Sequence, residues 1–269
     1  MGVPKKSLGQ NFLIDESVSE AIAGAGSPEL VDGVVEVGPG RGALTEKLLR
    51  IYDRVAAVEL DESLINPLIE RLGAPEGLTV IHGDAIKEDL KEIALEHVGR
   101  RYAIFGNIPY YLTSPLVMKI VNTTDAVFSV LMMQKEAAMR ICAPECSRGV
   151  GAITLSVMYR FDSKILFDVP PSCFRPAPKV TSTVIRLDRL SEPRVKTKEP
   201  RAMIRLIRAA FSQRRKTAVN SISSVLKIDR DLCARAVADS GLEGVRAEKI
   251  PLAGYAAITD RLIDLGCTF

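Results

Sequence analysis

Short runs of β-branched and other apolar residues alternate with stretches of helical pattern through the first two thirds of the chain. Residues 34–37 read as a strand ending at a glycine-rich turn, and residues 44–49 as the helix after it. The alternation repeats: strands at 55–59, 78–81, 102–106 and 127–133, with helices at 62–72 and 115–121. Residues 135–142 and 152–160 read as helices, 164–169 and 181–187 as strands. Such alternation predicts an α/β fold with a parallel, doubly wound sheet. The last two strands have no helix between them. A loop carrying Pro170, Pro171, Pro176 and Pro178 joins them, which predicts an antiparallel, hairpin-like end to the sheet.

Residues 191–199 are polar, and Pro193 and Pro200 punctuate them; they read as a linker. The pattern beyond is purely helical, at 202–211, 216–226, 232–240 and 252–265. The expected organisation is therefore a first domain over 1–190 and a small helical one over 200–269.

Composition narrows the class. With 47% hydrophobic and 26% charged residues the chain is neither disordered nor collagen-like. No apolar run reaches the roughly 20 residues a membrane helix needs. Two lysines near the start are followed by no apolar core, so no signal peptide is expected. Cys142, Cys146, Cys173, Cys233 and Cys267 are odd in number and scattered, and neither His82 nor His97 is near the one close pair. They read as free thiols of a reducing compartment, with no metal site. Net charge is only +3, yet residues 194–269 hold 15 basic and 8 acidic side chains, net +7, and residues 1–193 are net −4. That asymmetry favours a polyanion at the C-terminal part over a merely solvated helical tail.

Glu36-Val37-Gly38-Pro39-Gly40-Arg41-Gly42 follows the first strand and opens a helix. Glycines there permit a tight turn and close approach of backbone to a ligand. Glu59, at the end of the next strand, can accept both hydroxyls of an adenosine ribose. Loop and carboxylate together indicate an adenosine-containing cofactor and leave NAD and S-adenosylmethionine both open. Two further carboxylates lean to the methyl donor. Glu36, at a strand end, can meet the cationic amino-acid end of S-adenosylmethionine; otherwise it caps the turn. Asp84, beside Ala85 after the third strand, can accept from an adenine amino group; otherwise it is a helix N-cap before residues 86–90.

Asn107-Ile108-Pro109-Tyr110 follows the fourth strand, at the edge where this fold class binds ligands. An exocyclic amine such as adenine N6 has its lone pair delocalised into the ring. Accepting both N–H bonds shifts electron density back and aims the lone pair at a methyl group. The Asn107 side-chain oxygen and the main-chain carbonyl of Ile108 or Pro109 are the candidate acceptors, and Tyr110 can stack on an unstacked base. Phe174 in the proline-rich loop is a second stacking candidate, or else a core anchor of that loop.

These residues resemble a known family. Gly9-Gln10-Asn11-Phe12-Leu13, the loop from Glu36 to Gly42, Glu59, Gly83-Asp84-Ala85 and Asn107 to Tyr110 occur in that order. Gln134-Lys135-Glu136, the run from Phe174 to Ser182 and the run from Phe211 to Thr217 follow. Along nearly its whole length the chain resembles the KsgA-type ribosomal RNA small-subunit adenine N6,N6-dimethyltransferases. The resemblance implies a Rossmann-like class I methyltransferase sheet with a small all-α C-terminal domain. It implies methyl transfer from S-adenosylmethionine to N6 of two adjacent adenosines in the 3′-terminal hairpin loop of small-subunit (16S) rRNA, with a role in small-subunit biogenesis. Its partner would be rRNA within a pre-ribosomal 30S-type particle, and the protein a cytoplasmic monomer. Carried over by the same resemblance, Asn11, Leu13, Gly38, Glu59, Asp84 and Asn107 line the cofactor, and Asn107, Tyr110 and Phe174 hold the target adenine.

The chain departs from the family at Val150, where a Tyr-Gly pair is common, and at Ala218 and Val219, which replace a bulkier, more basic pair. Those departures are expected to bear on RNA contacts. Independently of the resemblance, Arg214, Arg215 and Lys216 read as a phosphate-binding cluster opening a helix, or else an exposed basic turn. Competing readings are a resistance-type methyltransferase acting on large-subunit rRNA, an assembly factor whose methylation is secondary, and an NAD oxidoreductase. The last gives Asn107 to Tyr110 no task.

Overall fold

A computed structural model describes residues 10–213 and 215–269; Arg214 and the Gly9 that opens the first quoted motif lie outside the described residues. The elements run β1 (Phe12–Leu13), α1 (Glu16–Gly24), β2 (Gly33–Val37), α2 (Ala43–Leu48), β3 (Val55–Glu59), α3 (Glu62–Leu72), β4 (Leu78–His82) and α4 (Leu90–His97). Then come β5 (Tyr102–Asn107), α5 (Thr113–Thr123), β6 (Phe128–Gln134), α6 (Lys135–Ile141), α7 (Ala152–Arg160), β7 (Phe161–Val169), β8 (Phe174–Arg175) and β9 (Ser182–Arg189). The chain ends in α8 (Pro200–Phe211), α9 (Ala218–Leu226), α10 (Arg230–Asp239) and α11 (Leu252–Asp264).

Seven strands form one sheet in the order β4-β3-β2-β5-β6-β9-β7. β2, β3, β4, β5 and β6 pair in parallel. Their side chains explain why: every residue of β2 and β3 is buried, as in a sheet covered on both faces. From β2 the chain steps outward through β3 and β4, then returns to lay β5 on the other side of β2. The adjoining ends of β2 and β5 are thus the switch point at which doubly wound sheets bind ligands. β9 runs antiparallel to β6 in unbroken register from Phe128 opposite Asp188 to Gln134 opposite Ser182. It lies between β6 and β7, so the later strand is inserted into the sheet and β7 forms its edge. Inside, the Phe105 ring meets Tyr52 at a tilt, centroids 5.8 Å apart, and Phe128 edge to face, centroids 6.0 Å apart.

A second, two-stranded sheet was not expected. β1 pairs antiparallel with β8, placing Phe12 opposite Arg175 and Leu13 opposite Phe174.

The chain divides into two compact units. The first holds residues 1–139 and 162–189, the second residues 140–161 and 190–269. Residues 140–161 therefore group with the C-terminal helices, ahead of the single boundary expected at 191–199. The reason is apolar: Leu155 and Tyr159 of α7 share one buried core with Met203, Leu206 and Ile207 of α8, Ile222 of α9 and Tyr255 of α11. The buried Tyr255 hydroxyl donates to the Ala247 carbonyl at 3.0 Å, and its ring stacks on Phe211 at 6.4 Å. Val150 and Ala218 also belong to this core. Val219 packs half-buried against it, so all three departures from the family pattern are packing positions. Among the described residues no helix is long and apolar enough to cross a membrane, and the five cysteines are free.

Candidate active site

The loop after β2 is shaped by its glycines. Gly38 adopts φ +70°, and a Cβ there would meet nothing nearer than 3.9 Å, so its open side faces the cavity. Gly42 adopts φ +81°, and a Cβ there would come within 2.3 Å of the Leu68 side chain. One glycine leaves room for a ligand, and the other lets α2 lie against α3. Gly38 N–H donates to the Val58 carbonyl at 3.0 Å, holding the loop to β3.

Glu59 ends β3 and is only 6% exposed. Its Oε2 accepts from Gly40 N–H at 3.0 Å and its Oε1 from Asp61 N–H at 2.8 Å. The carboxylate is thus fixed by backbone on both sides, while each oxygen keeps capacity for another donor. Burial pushes its pKa up. Glu36, on β2, is 1% exposed. Burial, reinforced by the Glu59 carboxylate, pushes it to about 8. Its Oε2 has no hydrogen-bond partner among the described residues. A buried, unsatisfied carboxylate oxygen of this kind is costly unless a cationic or donor group meets it.

Asp84 follows β4. Its Oδ1 accepts from Ile86 N–H at 2.9 Å, closing a turn. The helix expected at 86–90 starts at Leu90 instead, and Asp89 caps it by accepting from Lys91 and Glu92 N–H. Ala85 beside it is buried.

Asn107 ends β5, and its side-chain nitrogen donates to the Asn11 carbonyl at 3.3 Å. That bond requires the nitrogen on the Asn11 side and leaves Oδ1 as the remaining acceptor. Ile108 N–H donates to the Met132 carbonyl at 2.9 Å, continuing the ladder to β6, and the Pro109 carbonyl accepts from Leu112 N–H at 2.9 Å. Of the two main-chain acceptors considered, Pro109 is therefore already engaged in its own turn. Tyr110 is half-buried, whereas Phe174 is 4% exposed and belongs to the core as well as the cavity wall.

All these groups meet in one cavity within the first unit. Its wall includes Asn11, Leu13, Glu36, Gly38, Gly40 and Glu59. It also includes Asp84, Ala85, Asn107, Pro109, Tyr110 and Phe174. The donor set fits S-adenosylmethionine. The unsatisfied buried Oε2 of Glu36 suits a cationic group, the fixed carboxylate of Glu59 suits a ribose, and the open side of Gly38 admits backbone contact. Among the wall residues that sequence reasoning did not single out are Leu60 and Tyr111, which are 41% and 53% exposed. The Tyr111 phenol is pushed up by burial and by the Asp84 and Glu59 carboxylates. Leu60, directly after β3, and Tyr111, in the short 3-10 turn Tyr110–Leu112 beyond β5, are half in solvent and carry no periodic signal; only their place directly after motif residues marks them. Arg215 and Lys216 are exposed in the turn before α9 rather than in its first turn, since that helix begins at Ala218.

Comparison with known proteins agrees with this geometry. The family model described as ribosomal RNA adenine dimethylase matches residues 3–262. A Clostridium perfringens protein named ribosomal RNA small subunit methyltransferase A is 40% identical over 259 residues, which is 96% of this chain and 90% of that protein. The crystal structure of a Plasmodium falciparum dimethyladenosine transferase superposes with a TM-score of 0.74 at 23% identity, covering 92% of this chain and 95% of that one. That of the 23S rRNA methyltransferase ErmE gives 0.66 at 23% identity, covering 94% and 100%. At that identity the two structures establish the shared fold.

Proposed function

The chain belongs to the ribosomal RNA adenine dimethylase family and is an S-adenosylmethionine-dependent rRNA adenine dimethyltransferase; we propose that it acts on N6 of two adjacent adenosines in the 3′-terminal hairpin loop of small-subunit rRNA. The observation that carries this reading is the oriented Asn107 amide, whose oxygen is left to the cavity that also holds Glu36 and Glu59.

S-adenosylmethionine, when bound, supplies an electrophilic methyl group. Glu59 holds the ribose hydroxyls, Asp84 accepts from the adenine amino group, and Glu36 faces the cationic amino-acid end. Gly38, Gly40, Asn11, Leu13 and Ala85 shape the wall around them. The target adenine leaves its stack and lies against Tyr110, with Phe174 as the second aromatic surface. Asn107 Oδ1 and the Ile108 carbonyl accept its two N–H bonds, and Pro109 fixes the turn that presents both. Each accepted bond moves electron density onto N6 and orients its lone pair. Formation of the N6–methyl bond would break the donor's sulfur–methyl bond, its electron pair staying on sulfur to leave S-adenosylhomocysteine, and the surplus proton on N6 would pass to water from a site of hydrogen-bond acceptors. Neither histidine lines the cavity, and the chemistry needs no strong base.

Arg214, Arg215 and Lys216 bind RNA phosphates in this reading, and the folding unit that carries them grips rRNA within a pre-ribosomal 30S-type particle. The protein works as a cytoplasmic monomer. Support comes from the rRNA relatives and the basic excess of residues 194–269. The decisive experiment incubates the protein with labelled donor and unmethylated small subunits and locates the methyl groups. Methyls on both adjacent adenosines are expected. Methylation of large-subunit rRNA instead would establish the resistance-type alternative.

A further inference from the structure

The excess positive charge of the C-terminal part is not spread along it. Residues 200–228 contain Arg201, Arg205, Arg208, Arg214, Arg215, Lys216 and Lys227 and no acidic residue. The other residues of 194–269 hold 8 basic and 8 acidic side chains, so the whole excess lies in this one stretch.

Arg201, Arg205 and Arg208 stand at spacings of four and three on α8, hence on one face of it. All three are exposed, while Met203, Leu206, Ile207 and Ala210 bury the opposite face. None of the three has an ion pair or side-chain hydrogen bond among the described residues. Other arginines of the same unit are engaged: Arg261 with Asp239 at 2.6 Å, Arg230 with Asn220 at 3.2 Å. The neighbouring helix α9 carries no charge that would neutralise the row. Seven residues of helix spread the guanidinium groups over about 10 Å. No large apolar side chain of α8 is exposed, so the face lacks the insertable edge of a membrane-surface helix.

We infer that this arginine face of α8 is a docking surface for RNA backbone, along which Arg201, Arg205 and Arg208 contact consecutive phosphates. The inference rests on the rRNA reading above and adds a helix face to it. Contact by three guanidinium groups has a specific electrostatic signature. Each phosphate neutralised contributes about 0.7–0.9 to the slope of log affinity against log salt.

The test measures binding of the full-length protein to a labelled stem-loop from the 3′ end of small-subunit rRNA by fluorescence anisotropy across a salt series. Changing all three arginines to glutamine is expected to lower the slope by about 2. Affinity should fall most at low salt, while a triple lysine variant keeps the slope. Arg205→Gln alone should lower it by a little under one unit, which keeps the test open should the triple variant fail to fold. An unchanged slope in a variant with wild-type thermal melting overturns the inference. So does a lysine variant that loses as much slope as the glutamine one, or a wild-type protein that prefers anionic lipid vesicles to this RNA. A wild-type protein with no salt-dependent RNA binding would instead overturn the rRNA reading itself.

Discussion

The side chain of Asn107 donates to the main-chain carbonyl of Asn11, 3.3 Å away, so a residue near the start of the chain decides which end of a strand-end amide faces the cavity. Truncating Asn107 to alanine removes the acceptor while leaving Glu59, Asp84 and the glycine loop in place. Methyl transfer should fall by at least about a hundredfold, the scale for losing one positioned hydrogen-bonding group in a transition state. Donor affinity should change only a few-fold. Turnover on small-subunit particles paired with calorimetry on the donor checks both parts, and wild-type turnover would sink the role.

Glu59 holds Gly40 and Asp61 N–H through its two oxygens. Glu59→Gln keeps one acceptor and loses the charge. Donor affinity should drop about tenfold or more, in line with a charge-assisted hydrogen bond worth about 1.5–3 kcal/mol. Calorimetry giving the wild-type value would remove Glu59 from the ribose.

Glu36 is raised from the usual 4.5 to about 8 by burial and by Glu59. The sign follows directly: the folded chain keeps this proton where the unfolded chain has lost it. The stabilising effect is whole below pH 4.5 and fades as pH climbs through 8. Glu36→Gln should therefore flatten the decline of unliganded stability over that window, read by urea unfolding at several pH values. Because a cationic donor favours the carboxylate, binding near pH 7 should release a proton. Calorimetry in buffers of unequal ionisation enthalpy detects it, and identical heats would show that Glu36 does not face the cation.

The chain contains no tryptophan. Tyr111→Trp therefore creates a single fluorophore at the cavity wall near Asp84 and Glu59. Its emission should shift on saturation with S-adenosylhomocysteine. A flat titration, with calorimetry confirming that the ligand binds, would place position 111 away from the donor.

Much of this was legible in the residues because the parallel strands are written as apolar runs. Val34, Val35, Val55 and Val58 are inside on both faces of the sheet, and the motif residues sit where those runs stop. What escaped was non-local. Phe12–Leu13 and Phe174–Arg175 form strands of two residues far apart in the chain, too short to show any period. The segment holding Leu155 and Tyr159 looked like part of the first domain because its allegiance is set by a core assembled from α8 to α11. The helix expected after Asp84 started later: Asp84 accepts from Ile86 N–H in a cap-like turn that is not continued, and the helix begins after Asp89, which accepts from Lys91 and Glu92 N–H.

The small β1–β8 ribbon has a thermodynamic corollary. Leu13, on the donor side of the proposed site, and Phe174, on the acceptor side, are register partners, so neither strand can shift without the other. If Leu13 meets the donor and Phe174 the adenosine, as proposed, this pairing would link the occupancy of the two substrates. Whatever factor a seated adenosine adds to the grip on the donor, a seated donor must return to the adenosine, since coupling between two ligands is reciprocal. Loss of the methyl group from the donor would be felt at the base through the same two residues.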